Sequence, residues 1–349
     1  MILIIADERD VHVPYVTKKL DSRGAHYLIF DPQHFPATAE ISIRYDRSGS
    51  ARRILNYKQE EVDLGRVKAV WNRAAAGPIA DAKVKEEQRW WVSEGCSRFL
   101  AELWECIDCL WLPNRPIADR EPWYRVDDPR DQARLPAQPH RLGASSAYNK
   151  LHQLAVAGQL GFTVPRTLVT NSPKRFLEFY EQCESQVVSK HAAMLRPARD
   201  GEDCMGFTYP VQRRNAADYQ AIRYAPIIFQ EEVPKKLELR VTVVAAKVFP
   251  AAIQSQESRL LRHDWRHYHD FGESKYYSVH TLPEKIEGLC VRLVETLGLC
   301  FGAMDLILTP EDEYVFLEVN PNGQWGWIEN FTGLPISDAI ADLLIQGTA

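Results

Sequence analysis

The sequence predicts an α/β protein assembled from several α+β subdomains, and three observations lead there. The chain opens with a strand–helix–strand unit over residues 2–30. Short runs rich in β-branched and aromatic residues then alternate with helical patterns to the C-terminus. Near that end, Ala303–Leu308 and Tyr314–Val319 flank the polar turn Thr309–Glu313, as the strands of a hairpin do. At 349 residues the chain can bury a substantial core and divide into two or three parts.

Composition narrows the function. The chain is 45% hydrophobic and 26% charged, with a formal net charge of -5, so no global basic excess points to nucleic acid. The opening Met1–Ala6 turns acidic at Asp7, which fits a first strand and is too short for a signal peptide or a membrane span. No membrane partner is expected. The seven cysteines are scattered, and Cys106-x-x-Cys109 has no second pair; it is placed on a helix in a reducing, cytoplasmic setting.

Taken in order, residues 2–6, a helix near Tyr15–Ser22 and Tyr27–Phe30 form the first unit, closed by Asp31-Pro32. Residues 41–57 fit a hairpin turning at Arg47–Ser50, and Val67–Trp71 a further strand. Gly24 stands alone, with no phosphate loop after the first strand, so this part does not hold a dinucleotide in the usual way. Trp71-Asn72-Arg73 sets polar groups at a strand's carboxyl edge, either a ligand contact or a solvated strand end. Lys83–Leu110 reads as one long helix whose aromatics pack inward. Residues 119–146 carry proline, arginine and aspartate without periodicity and form a long surface loop between domains, a plain linker or a lid.

A new module follows. Tyr148–Leu160 is helical, with Leu151, Leu154, Ala155 and Val156 inward and Gly161 as C-cap, before a short strand within Phe162–Thr170. Ser172 caps a helix that starts at Pro173 and runs to about Cys183. Val187–Lys190 is a strand ending in lysine, followed by a loop with Gly201 and Gly206. Ile227–Val233 and Leu239–Ala245 are strands. The helix Pro283–Leu297 precedes the hairpin, and Leu334–Ile345 closes the chain.

The chemistry sits on these elements. Each hairpin strand carries one acid in an apolar setting, Asp305 and Glu318, with Asn320 two residues on. Side chains two apart share a face, and antiparallel pairing can bring Asp305 beside the other two. Three oxygen donors on one face suit Mg²⁺, although an ordinary hairpin with acids on its wet face reads the same in this window. Lys150 and Lys190, at element ends, can reach phosphate oxygens, and the glycine-bearing loop after Lys190 can cover them. Gln230-Glu231-Glu232-Val233 ends an apolar run, so backbone groups at 231 and 233 can read an adenine edge while Glu238 takes ribose hydroxyls. The alternative is an exposed acidic turn. Glu238 and Arg240 point the same way, and Arg240 can hold a transferring phosphoryl group or a carboxylate. Arg266 is a second candidate for that task. The histidines 263, 267 and 269 around it match no closed zinc site.

With these residues in place, the order of signals resembles the ATP-grasp ligases, and among them the RimK-like maturases of microviridin-type peptides, the graspetides. The resemblance covers Ala147–Gly347 and is carried by Gly161-Phe-x-Val-Pro-x-Thr167, Glu238-Leu-Arg-Val-Thr242, Phe301-Gly-Ala-Met-Asp-Leu306, Phe316–Trp325 and Thr332-Gly-Leu-Pro-Ile336. It implies an ATP-grasp fold in three parts: an N-terminal α/β domain (1–118), a central domain (147–232) and a C-terminal domain (233–349). ATP would be clamped between the last two, and 119–146 would be an insert. It implies that Lys150 and Lys190 bind ATP phosphates, Glu238 the ribose, and Asp305, Glu318 and Asn320 magnesium, with Arg240 assisting at the γ-phosphate.

The implied activity is ATP-dependent ligation through an acyl phosphate, joining an Asp or Glu side chain of a precursor peptide to a Thr or Ser hydroxyl or a Lys amine. No side-chain nucleophile is needed, in keeping with the absence of a Gly-x-Ser-x-Gly motif. Two other readings share the residues: a ligase joining an amino acid to a small molecule or a protein terminus, and a non-catalytic protein that binds nucleotide or peptide. A homodimer is the default assembly.

Overall fold

The computed structural model describes residues 1–73, 75–114, 147–190, 208–211, 215–257 and 274–347. It opens with β1 (Ile2–Ile5), α1 (Val13–Ser22) and β2 (Tyr27–Phe30), the two strands parallel as a β-α-β unit requires. A small antiparallel sheet of β3 (Ala39–Tyr45), β4 (Ala51–Tyr57) and β5 (Glu60–Asp63) follows. The chain then returns through β6 (Ala69–Asn72), α2 (Glu86–Glu105) and β7 (Leu110–Leu112) to complete a parallel sheet of order β2-β1-β6-β7.

Two expectations change here. The long helix ends at Glu105 with Cys106 as its cap, so Cys106 and Cys109 span a helix end rather than lying on a helix. The apolar Leu110–Leu112, which extends the helical pattern in sequence, instead pairs with β6 and is buried at every position.

Next come α3 (Lys150–Leu160), β8 (Thr167–Thr170), α4 (Pro173–Gln182), β9 (Val187–Lys190), β10 (Tyr209–Pro210) and β11 (Ile227–Glu231), whose strands form an antiparallel sheet of order β10-β9-β11-β8. Gly161 ends α3 at φ 101°, a left-handed conformation that glycine adopts without penalty. Ser172 caps α4 by accepting from the Arg175 N–H, with Pro173 in the first turn. The inward face of α3 differs from the expected one: Leu151 and Ala155 are exposed, and the buried residues are Gln153, Val156 and Ala157. A glutamine replaces a leucine in that face because strand backbone awaits it there.

The last sheet holds β12 (Leu237–Val244), β13 (Lys247–Ile253), β14 (Tyr277–Val279), β15 (Phe301–Leu308) and β16 (Tyr314–Asn320) in the order β14-β13-β12-β15-β16. One face packs on α3 and α5 (Glu284–Thr296) through Leu239, Val241, Val243, Met304, Leu306, Phe316 and Val319, against Val156, Leu289, Leu293 and Val294. α6 (Gly326–Thr332) and α7 (Ile336–Gln346) end the chain. α7 crosses back to α1, so that Ile340 and Leu344 share one core with Ile2, Ile4, Val16 and Trp71 of the first sheet. Among the described residues no helix is long and apolar enough to cross a membrane.

Candidate active site

Strand register decides which side chains meet. Arg240 on β12 is the partner of Asp305 on β15, and Asp305 is the partner of Glu318 on β16. Directly opposed side chains leave the same face of a sheet. Glu238, Arg240, Asp305, Glu318 and Asn320, whose partner is Ala303, therefore share the face turned away from α5. A bulge makes this compatible with the core: Leu306 pairs with Phe316, so β16 holds one extra residue, Leu317. Phe316 can then be fully buried while Glu318 still faces Asp305.

The charges along this face alternate in blocks. Arg240 Nη1 donates to Asp305 Oδ1 at 2.9 Å, and Lys150 Nζ lies 2.6 Å from Glu318 Oε2. Two acids set opposite each other repel, and the flanking cations offset that repulsion. A positive ion between the acids would offset it further. Asn320 presents its Oδ1 beside them, accepting from the Asn322 N–H at 3.1 Å. Among the described residues no group of three His, Cys, Asp or Glu side chains is placed to hold a metal ion; the oxygens on this face come from two carboxylates and one amide. Such hard oxygen donors, few in number, fit Mg²⁺, which keeps much of its shell for water and phosphate.

Several residues that the sequence does not flag hold this set in place. Gln153, 2% exposed, donates through Nε2 to the Ala147 and Val319 carbonyls and accepts from the Val319 N–H at 3.1 Å. It thus clasps the backbone between Glu318 and Asn320. Arg240 Nη2 donates to the Gln324 carbonyl at 3.2 Å, and Asn322 Nδ2 to the Tyr148 hydroxyl at 3.2 Å. Gly323 lies so close to β15 that a Cβ would sit 2.5 Å from that of Ala303.

The remaining predicted residues fall nearby in the chain. Lys150 begins α3, whose first N–H groups are capped by Asn149. Lys190 ends β9, paired with Ile228 of β11. Gln230 is buried and donates to Thr167 Oγ1 at 3.0 Å. The Glu231 carboxylate takes the Arg166 N–H and guanidinium, and the Glu231 N–H donates to the Arg166 carbonyl at 3.0 Å. That amide is therefore engaged within the protein, which leaves the Glu231 carbonyl and the backbone of Val233, just past the strand, as the candidates for an adenine edge. Glu238 is buried, and burial pushes its carboxyl up; Lys235, 3.0 Å away, and Ser255 counter this only in part. Arg266, the histidines 263, 267 and 269, Gly201, Gly206 and the insert 119–146 lie outside the described residues.

Trp71-Asn72-Arg73 does end its strand at a recess. A cavity of about 480 Å³ lies at the carboxyl ends of β1 and β6, lined by Asp7, Arg9, Asp10, Arg73, Ala75 and Ala76. It sits where neighbouring connections leave the sheet in different directions, a usual place for ligands in open α/β sheets.

Comparison with known proteins gives the family. Residues 1–118 match the MvdD pre-ATP grasp domain. The macrocyclase MdnB from Microcystis aeruginosa MRC is 30% identical over 99% of both chains, with a TM-score of 0.71. The chain belongs to the ATP-grasp ligases, in the group of the graspetide maturases. Two further solved structures resemble this ligase along its whole length. Macrocyclase MdnC of the same organism, bound with precursor peptide MdnA, is 29% identical over 99% of each chain, with a TM-score of 0.78. A RiPP-associated ATP-grasp ligase of Chryseobacterium gregarium, in complex with ADP and a leader and core peptide, is 27% identical, covering 100% of this ligase and 97% of that one, with a TM-score of 0.83. No curated protein matches the ligase.

Proposed function

We propose that this ATP-grasp ligase forms ester or amide crosslinks between side chains of a ribosomally made precursor peptide, with release of ADP and phosphate. The observation that carries the reading is the single row Arg240–Asp305–Glu318–Lys150, with Asn320 beside it, on the face of the C-terminal sheet turned away from α5. Relatives similar along the whole chain and bound to precursor peptides support the substrate class.

In this reading Lys150 and Lys190 hold ATP phosphates, Gln230, Glu231 and Val233 border the adenine, and Glu238 takes the ribose hydroxyls. Asp305, Glu318 and Asn320 would hold Mg²⁺, which when bound neutralises phosphate charge. A peptide carboxylate oxygen attacks the γ-phosphorus, the bond to the β–γ bridging oxygen breaks, and ADP leaves. Arg240, fixed by Asp305 and the Gln324 carbonyl, offsets charge on the transferring group; Arg266 is a second basic group for the same task. A hydroxyl or amine of the peptide then attacks the acyl carbon and loses its proton, and phosphate departs with the acyl C–O electron pair. The protein's part is to position two reactants and stabilise charge.

The domain division follows the same reading: 1–118, an insert 119–146, a central unit 147–232 and a C-terminal unit 233–349, in a cytoplasmic homodimer. Incubation with ATP and candidate precursor peptides tests the function, with mass spectrometry expected to show loss of one water per crosslink and matching ADP. ADP formed only with free amino acids would point instead to a ligase acting on an amino acid. Tight ATP binding without ADP from any acceptor would point to a nucleotide-binding protein.

A further inference from the structure

The loop from Asn320 to Trp325 is gripped from a third side, by the first β–α connection of the chain. His12 is 3% exposed and sits between Asp10 and Trp325. The Trp325 N–H donates to His12 Nε2 at 3.3 Å, so that nitrogen carries no proton. In the neutral ring the proton is then on Nδ1, which lies 3.2 Å from Asp10 Oδ1. Arg73 Nε donates to the other Asp10 oxygen at 3.0 Å. Arg73 Nη2 also lies 3.1 Å from His12 Nδ1, where it competes with Asp10 for that nitrogen; with Nε2 accepting from Trp325, the Nδ1 proton goes to Asp10. Burial alone would raise the Asp10 carboxyl, but the His12 hydrogen bond and the Arg73 charge outweigh it and hold it at about 2. A permanently ionised Asp10 fixes the tautomer that offers Nε2 as acceptor.

The other end of this contact is equally constrained. Trp325 is fully buried, and its indole N–H has no hydrogen-bond partner among the described residues. It packs against His12 and Tyr15, with ring centroids 5.2 and 5.8 Å away, its main-chain N–H is bonded to His12 and its carbonyl accepts from the Glu329 N–H. Gly326 allows the close fit, since a Cβ there would meet His12 Cδ2 at 3.3 Å.

We propose that His12, oriented by Asp10 and Arg73, is a positioning residue: through the Trp325 amide it fixes the loop that carries Asn320, and so the cation and nucleotide site. The effect on that site rests on reading Asn320 as a cation ligand; the effect on the loop does not. His12→Phe keeps a ring against Trp325 but removes the acceptor, and His12→Gln restores an acceptor near Nε2. Two readouts apply to the full chain: hydrogen exchange of residues 321–326, and calorimetric binding of a non-hydrolysable ATP analogue with Mg²⁺. Loss of one such hydrogen bond predicts about tenfold faster exchange in His12→Phe, and about tenfold weaker Mg-nucleotide binding, with β12 and β15 unchanged and both effects reversed in His12→Gln. Wild-type exchange in His12→Phe, or no recovery in His12→Gln, overturns the proposal. If His12→Phe does not fold, Asp10→Ala releases the tautomer and must speed the same exchange; unchanged exchange in it overturns the proposal too. An Asn320→Ala variant that binds Mg-nucleotide normally defeats the ligand reading alone, and the exchange data then decide the role of His12.

Discussion

Glu238 and Arg240 stand two residues apart on β12, both almost wholly buried and yet with opposite electrostatic needs. Arg240 has Asp305 as direct partner, whereas Glu238 has its carboxyl raised by burial against only partial relief from Lys235. If ionised Glu238 accepts the ribose hydroxyls, ATP affinity is present above its raised pKa and is lost as pH falls through it, sooner than for an ordinary glutamate. The difference between wild type and Glu238→Gln in nucleotide titrations at several pH values isolates this effect, and the variant should bind more weakly at neutral pH with a flatter profile. Gly323→Ala is the steric counterpart. Its Cβ would meet Ala303 Cβ at 2.5 Å and Arg240 Nη2 at 2.7 Å, so the loop or the arginine must move. Displacement of that order predicts a loss in kcat of about 10²-fold, read by ADP release, with the sheet intact by circular dichroism. That Glu318 and Asn320 share a face was legible from strand periodicity, but their meeting with Asp305 depends on the one-residue bulge at Leu317. Gln153 and His12 were not: their partners lie 166 and 313 residues away, and neither residue type signals such a clasp.

At the scale of elements, α3 and the end of β16 act as one piece. Gln153 supplies hydrogen bonds to both the N–H and C=O of Val319 and to the Ala147 carbonyl. Gln153→Leu keeps the volume but leaves these buried groups unpaired, which predicts a loss of about 3 kcal/mol in urea unfolding. Little change would mean the clasp is incidental. The strands Tyr27–Phe30 and Val187–Lys190 occur where their apolar runs and flanking turns place them. β13 was not legible, because Pro250 sits in its middle. The Pro250 carbonyl accepts from the His280 N–H, so its missing donor also faces the short β14 and the ladder to β12 survives. The bulge opposite Asp305 was hidden for another reason. Residues 314–320 alternate acceptably in either phase, and only the demand to bury Phe316 while presenting Glu318 selects the extra residue.

Over the whole molecule, the first sheet and the last two helices are built into one another. Ile340 of α7 is fully buried in the core it shares with β1, α1 and β6, while Lys19 and Arg23 meet Asp338 only at the surface. Ile340→Ala should therefore cost about 2–5 kcal/mol, and Asp338→Ala less than about 1 kcal/mol, in the same denaturation experiment. Comparable losses would place the join in the ion pairs instead. This long-range union was not legible from sequence, since an amphipathic C-terminal helix does not name the surface it covers. It gives His12 its reach to the loop beyond β16, and it makes the cation site the meeting point of distant parts of the chain. That site is tested most directly with Mn²⁺ as a paramagnetic substitute for Mg²⁺, followed by electron spin resonance with a non-hydrolysable ATP analogue. Wild type should bind Mn²⁺ in a nucleotide-dependent way, and Asp305→Asn should lose that binding; equal binding by the two proteins would contradict the account.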